Sequence, residues 1–509
     1  MIITDIPLVG WSQAQFAITG IAYNLFIPLT IGLSIIVAFI ESIYVKTGNP
    51  EWKKLSRFWM LLLAINFFCG LLPTLILESQ LFLDFPETLW NMSSFLGKPI
   101  AIFAFCTLLI EILLVFLLFF KGKKSVNESQ LFLSWLVALS SMLFTFPVLA
   151  TNAFMNHPVG IALDPATAQN IIISYSDILL SPFAIHKYLH TISSGCVVAS
   201  LFVLGISARF LLKKKNSSLA IKSIVISSVF GLLSSLFVSL TGDTSTYQVA
   251  QYQPMKLAAM EGLYVGKTET PLVVIGFLND KKKPGDSLEP FHFKIEIPSM
   301  LSKLATRDKK AFVPGVNDLL YGNYRYGLEP ITKKMERGTN AIIAQTQLLS
   351  KIKKGDTSET QLAFTTLKEN YSNIGYGYLE KPEKTVPYIH IVFNSFHSMV
   401  LLGFYFIFLF VIIIIQLLRR KTGNSKLLLW ITVLSAPLGY FAFEMGWVLS
   451  EAGRQPWVLH EIIPVNRIIQ TVSLSGIKTG FIVFTAIYSI LIFMFIRLIF
   501  KHIKAGPEK

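Results

Sequence analysis

Long apolar runs alternate with short polar breaks along most of this chain. Runs of about 20 residues, the length at which an α-helix crosses roughly 30 Å of hydrocarbon, can be drawn nine times. They fall at 15–43, 57–78, 98–120, 129–152, 184–212, 219–240, 388–417, 427–450 and 474–499. The pattern breaks once, from about Thr241 to Pro387, where turn-rich pieces such as "NDKKKPGDS" and "KKGDTSE" take over. Structureless loops of this length are rare in compact domains and tend to be functional. The expected architecture is an all-α integral membrane protein of about nine transmembrane helices. Residues 1–240 carry six spans, 241–387 form a large external loop, and 388–509 carry three more spans. No internal repeat at a fixed period is present.

Composition adds to this picture by leaving little charge to place. Of 509 residues, 53% are hydrophobic and only 15% charged, so the charges must gather in the loops. Lys46, Lys53, Lys54 and Arg57 follow span one, Lys121, Lys123 and Lys124 span three, and Lys213, Lys214 and Lys215 span five. Arg419, Arg420, Lys421 and Lys426 follow span seven, and Arg497, Lys501 and Lys504 close the last span. Asp84, Glu87, Asp164 and Asp177 occupy the alternate loops. Because short cytoplasmic loops collect Lys and Arg, the N-terminus is expected outside, the C-terminus inside and the polar segment on the outer face. The net charge of +15 reflects this asymmetry and attraction to anionic headgroups rather than nucleic acid binding. The first span lacks a basic leader and a small-residue cleavage site, so it is expected to stay as an anchor.

Candidate chemistry is narrowed by what is missing. Cys69, Cys106 and Cys196 lie far apart within spans, which excludes a C-x-x-C-H haem attachment, iron–sulfur spacing and a disulfide framework. Ionisable residues at membrane depth are costly and so are functional candidates. Here they are Glu111, His186, Lys187, His190, Glu444 and Glu451, with His397 and Met399 near the start of span seven. In "HKYLHTISSG" two histidines stand one helical turn apart. A zinc ion would need a third ligand, and none of suitable spacing lies nearby. Haem iron asks only for one axial ligand per face from different helices, and His with Met is a common pair. Met399 could be that partner, although a Met at this depth also serves as core filler. A transporter using these intramembrane charges is the remaining class.

Four motifs carry a closer resemblance. "KYLHTISSG", "QPMKLAAMEG", "NIGYGYL" and "GWVLSEAGRQPWVL" occur in the order seen in subunit I of the cytochrome bd quinol oxidases, and the similarity runs from "QFAITG" to the last span. The resemblance implies a bacterial inner-membrane quinol:oxygen oxidoreductase that works with a second membrane subunit and often a small accessory one. His190 and Met399 would be the axial pair of a low-spin haem b, and Glu451 the ligand of a high-spin haem b, with Trp447 and Arg454 around it. Lys256 and Glu261, in the 241–387 quinol-binding loop, would hold and deprotonate the quinol. Oxidising a quinol releases two protons as well as two electrons, so an acceptor and a fixing donor on a short amphipathic helix suit the task. His186 has no role in the pattern and is read as a packing or propionate-side residue.

The chain also departs from that family around one site. Where the family's first span has a histidine on the oxygen-reducing haem, this chain has Tyr23, and no histidine precedes His157. Gln13 stands in place of a basic residue, Phe103 in place of the first of two acidic residues, and Phe144 in place of a hydroxyl; the second acidic residue, Glu111, remains. Either Tyr23 ligates iron as a phenolate, as tyrosine does in catalase, and oxygen is still reduced. Or one high-spin haem is lost or altered, and a divergent paralogue passes quinol electrons elsewhere. Whether a haem d is among the cofactors stays open.

Overall fold

A computed structural model describes residues 8–82, 93–122, 127–168, 170–354, 357–421, 423, 425–467 and 474–507. Asp84, Glu87, Lys123 and Lys124 lie outside the described residues. The chain is mostly helical, and among the described residues nine helices are long and apolar enough to cross a membrane. The first six are α1 (Leu8–Thr47), α2 (Pro50–Phe82), α3 (Ser93–Gly122), α4 (Glu128–Asn156), α5 (Pro182–Leu212) and α6 (Ser217–Tyr252). Helix starts follow local chemistry. The Asn127 side chain accepts from the Gln130 amide, and the Ser181 side chain from the Ala184 amide with Pro182 at the first helical position. Small residues let helices touch: a Cβ added to Gly32 of α1 would lie 2.7 Å from the Gly195 carbonyl of α5.

The basic ends of the spans meet at one end of the bundle. Glu51 pairs with Lys222 across the α1–α2 and α5–α6 turns, and the Arg209 guanidinium lies 5.6 Å from the Phe500 ring. At the opposite end sits the polar segment, and it is far from structureless. It contains α7 (Pro254–Met260), an antiparallel hairpin of β1 (Leu272–Leu278) and β2 (Phe291–Ile297), and α8 (Ile331–Lys354). The last three spans follow as α9 (Ile389–Leu418), α10 (Lys426–Ala452) and α11 (Leu474–Ala505).

Two details differ from the pattern of hydropathy. Helix α6 runs on to Tyr252 instead of ending near 240, because its polar last turns pack on the loop domain, where Asp243 pairs with Arg307 at 2.7 Å. The loop domain has a small core of its own around Ala341, Leu348, Leu367 and Ile374, and the rest of it shares a core with the bundle. Val249 of α6, Leu257, Tyr264, Leu320 and Tyr376 of the domain, Val392 of α9 and Trp457 form one buried cluster. The domain is thus built onto the ends of the spans.

Candidate functional site

Helix α5 packs on α6 and α10, and α9 packs on the same two helices, so α5 and α9 face each other diagonally across the group. His190 of α5 and Met399 of α9 stand eight and ten residues into their helices. At 1.5 Å per residue that is about 12 and 15 Å from the loop-domain end. His190 Nδ1 lies 3.0 Å from Thr241 Oγ1 of α6. The Thr241 hydroxyl is itself directed at the Phe237 and Val238 carbonyls, each at 3.1 Å, so it receives the proton of Nδ1 and the lone pair is left on Nε2. That is the tautomer a metal-ligating imidazole needs. Glycines border both candidate ligands: a Cβ on Gly242 would sit 3.5 Å from His190 Cε1, and one on Gly446 of α10 would sit 3.0 Å from Met399 Sδ.

One turn closer to the loop domain lies a buried ionic cluster. Glu451, at the end of α10, accepts from Asn152 Nδ2 of α4 at 2.6 Å and from Arg454 Nη2 at 2.5 Å. Lys187 of α5 donates to Asn152 Oδ1 and, at 2.7 Å, to Ser450 Oγ. Lys256 Nζ reaches the Ser450 carbonyl at 3.4 Å. Three cations thus surround one carboxylate, with Arg454 and Lys256 only 5% and 7% exposed. Buried charge of one sign is expensive, so the cluster is suited to anionic groups of a bound molecule. Burial, and after it the charge of Lys187, brings the Lys256 ammonium down to about 7. Trp447 points the other way, onto α1, where a Cβ on Gly20 would collide with its ring at 2.2 Å.

Lys256 and Glu261 were expected on a short amphipathic helix. Instead α7 is buried from Lys256 through Met260. Residues five apart on a helix are turned by about 140°, and the two side chains go to different places. Lys256 joins the ionic cluster. Glu261 lines a cavity of about 390 Å³ bounded by Tyr264, Val273, Lys282, Phe291 and Glu296. The two form no ion pair with each other. Glu261 is 2% exposed, neither carboxylate oxygen has a hydrogen-bond partner, and burial pushes it up to about 8.

The Gly-Tyr-Gly stretch closes the same region from the other side. Tyr376 donates to Glu461 Oε1 at 2.5 Å, and Lys334 stands 3.5 Å from that carboxylate. Gly375 and Gly377 carry no side chain because the Glu461 carbonyl and the Gly338 backbone fill the space, at 2.3 and 2.4 Å from a built Cβ. Asn152 and Glu461 escaped the sequence reading. A lone amide in an apolar run and a carboxylate after a span carry no signal of their own.

Tyr23 belongs to a different setting. It packs in a core of Ile27, Ile31, Leu77, Ala101, Phe144 and Val148 from α1 to α4, with Glu78 and Glu111 as its charged neighbours. Both Glu78 oxygens and Oε1 of Glu111 are buried without a partner. Gln13 Nε2 donates to Gln455 Oε1 at 2.9 Å, and Phe103 lies on the bundle surface. His186 Nδ1 is buried without a partner, as is Glu444 Oε2. His397 ties α9 to the loop domain, with Nδ1 2.9 Å from the Phe393 carbonyl and Nε2 2.9 Å from that of Val273.

These features define a nine-span membrane protein with a His–Met pair set diagonally in a helix group, under a loop domain that covers a buried cationic cluster. Residues 11–507 match the family described as cytochrome bd terminal oxidase subunit I. The chain is 30% identical to cytochrome bd-II ubiquinol oxidase subunit 1 of Escherichia coli (strain K12), covering 98% of this chain and 97% of the relative. It is 26% identical to cytochrome bd ubiquinol oxidase subunit 1 of Bacillus subtilis (strain 168), covering 98% and 94%. The bd oxidase structure from Geobacillus thermodenitrificans shares the fold, with a TM-score of 0.77 at 20% identity over 98% of this chain and 99% of that one. The chain belongs to the cytochrome bd terminal oxidase subunit I family and is a component of a respiratory terminal oxidase.

Proposed function

We propose that this chain oxidises membrane quinol and passes the electrons through b-type haem towards reduction of oxygen to water. The observation that carries the reading is the 3.0 Å contact of His190 Nδ1 with Thr241 Oγ1. With Nδ1 directed at Thr241, Nε2 is left for a ligand, and α9, across the helix group from α5, carries Met399. A low-spin haem b held by His190 and Met399 would supply a one-electron relay. Arg454, Lys187 and Lys256 fit its propionates or those of a neighbour, because a guanidinium forks onto carboxylates and the cluster sets three cations against one carboxylate. Glu451, with Trp447 nearby on α10, is the candidate ligand of a high-spin haem b; its partners Asn152 and Arg454 hold it in place.

Glu261 is placed to accept a quinol hydroxyl proton, since a carboxyl near 8 is matched to a weakly acidic hydroxyl at neutral pH. Lys256 fixes the second oxygen from the side of the cluster. The loop domain then lies on the outer face of the bacterial cytoplasmic membrane, with the N-terminus outside and the C-terminus in the cytoplasm. The working complex includes a second membrane subunit and a small accessory one.

The packing around Tyr23 favours a second reading for one site. Phe144 and Tyr23 fill that core with large side chains, which suits a lost or altered high-spin haem and a paralogue that transfers electrons without reducing oxygen. Glu111 would then keep a proton-handling role without a reaction to serve. Haem extraction and a reduced-minus-oxidised spectrum of the purified complex test both readings. Low-spin b plus a high-spin haem, with oxygen consumed, supports the oxidase. Low-spin b alone supports the paralogue, and no extractable haem overturns both.

A further inference from the structure

Quinol oxidation sets free two protons, and the roles given above account for one of them. Glu261 takes it in the cavity, while the hydroxyl at Lys256 still needs an acceptor. The imidazole of His460 has Glu461, Lys256, Lys334 and His157 as its charged or titratable neighbours. It therefore borders both Lys256 and a second carboxylate, Glu461, that stands outside the ionic cluster.

His460 and Glu461 lie in the turn of a small hairpin, β3 (Trp457–Leu459) and β4 (Ile463–Pro464), which follows α10. Distant backbone pins that turn. The His460 N–H donates to the Met155 carbonyl in the last turn of α4 at 3.0 Å, and the Glu461 carbonyl accepts from the Gly375 N–H at 3.1 Å. Glu461 has a φ of 59°, in the left-handed region that favours Gly or Asn. A glutamate held there is kept for its side chain. That side chain accepts from the Tyr376 hydroxyl at 2.5 Å and has Lys334 Nζ at 3.5 Å. With the Lys334 and Glu461 side chains 33% and 36% exposed, the carboxylate meets water on the loop-domain side.

The protonation states suit a passage of protons. Burial brings His460 down to about 4, so the imidazole is neutral at pH 7, and one ring nitrogen can accept a proton while the other releases one. Burial opposes the ionisation of Glu461, but the Lys334 charge and the Tyr376 hydroxyl outweigh it and hold the carboxyl below its ordinary range. Glu461 is thus ionised and gives up a proton readily to water.

We propose that His460 and Glu461 carry the second quinol proton to water on the loop-domain side, an assignment that rests on the quinol-oxidising reading above. Each quinol gives two electrons to b-type haem and one proton to the Glu261 carboxylate. Its other proton leaves the oxygen beside Lys256 for one nitrogen of His460. The imidazole releases the proton of its other nitrogen to a Glu461 oxygen, and Glu461 passes it to water. Lys256 stays an ammonium throughout and favours the oxyanion that develops beside it.

The test uses the purified full complex with a soluble short-chain quinol and, separately, a small artificial one-electron donor. Glu461→Gln keeps an oxygen for the Tyr376 hydroxyl but cannot carry a proton. It should slow quinol oxidation roughly 10²-fold, as for a lost acid–base group, and enlarge the solvent deuterium isotope effect, with the quinol KM and haem reduction by the artificial donor preserved. His460→Gln should show the same pattern, so that one failed assembly leaves the other. Tyr376→Phe removes the tether but keeps the carboxylate, and should cost only a few-fold. Quinol oxidation at the wild-type rate in either Gln variant overturns the route and leaves the quinol-oxidising reading standing. A raised KM, or an equal loss in Tyr376→Phe, makes Glu461 a brace of the loop domain and overturns the route as well. A wild-type complex that oxidises no quinol overturns both the route and the reading beneath it.

Discussion

The helix group around His190 and the core around Tyr23 lie in one bundle and treat buried polar atoms in opposite ways. In the His190 group two candidate ligands have partners beyond their own helices: Thr241 orients the imidazole, and Asn152 and Arg454 hold Glu451. Gly242 and Gly446 keep side chains away from the two candidate ligands. Beside Tyr23 the carboxylates of Glu78 and Glu111 are left with unpartnered oxygens, and Phe144 occupies the space. A site built from second partners resists change because each substitution orphans another group at a cost of about 1–3 kcal/mol.

The largest expected effect comes from breaking the better-built site. His190→Ala and Met399→Ala should each abolish the six-coordinate low-spin signal in a difference spectrum while the protein stays inserted, and His186→Ala should leave it. A fully occupied low-spin haem in His190→Ala would erase the contrast between the regions. Next comes electron entry. Glu261→Gln should slow quinol-driven haem reduction by roughly 10²–10⁴-fold, the range for a lost general base, yet spare reduction by a small artificial donor. Equal loss with both donors would assign Glu261 a folding role.

A smaller effect is expected in the pH profile of quinol oxidation. The carboxyl of Glu261, raised to about 8, becomes a base only as pH rises through that value. The ammonium of Lys256, lowered to about 7, loses its proton as pH rises through that value. The rate should therefore climb on Glu261, fall on Lys256 and peak between the two. Lys256→Arg should remove the falling limb alone, because a guanidinium stays protonated. An unchanged limb would separate Lys256 from the quinol.

The smallest effects belong to Tyr23. A phenolate favours ferric iron, so Tyr23→His should raise oxygen-linked turnover and Tyr23→Phe should shift the high-spin spectrum if a haem is bound there. Silence in both measurements would make Tyr23 a packing residue and would sharpen the contrast into one working site and one filled one.

Hydropathy alone located the nine spans, because spanning depends on the summed transfer energy of about 20 contiguous residues, which is a local property of the chain. The four motifs in order likewise placed His190, Met399, Glu451 and Lys256 in candidate roles. What the chain could not reveal by itself is who holds them. Asn152 and Glu451 are 299 residues apart, and His190 and Thr241 are 51 apart. The sequence put Lys256 and Glu261 together on one short amphipathic helix, but tertiary packing buried α7 on nearly every side and sent the two in different directions. A hydrogen bond or an exposed face is decided by which distant atoms arrive within about 3 Å, and only the packed fold determines that.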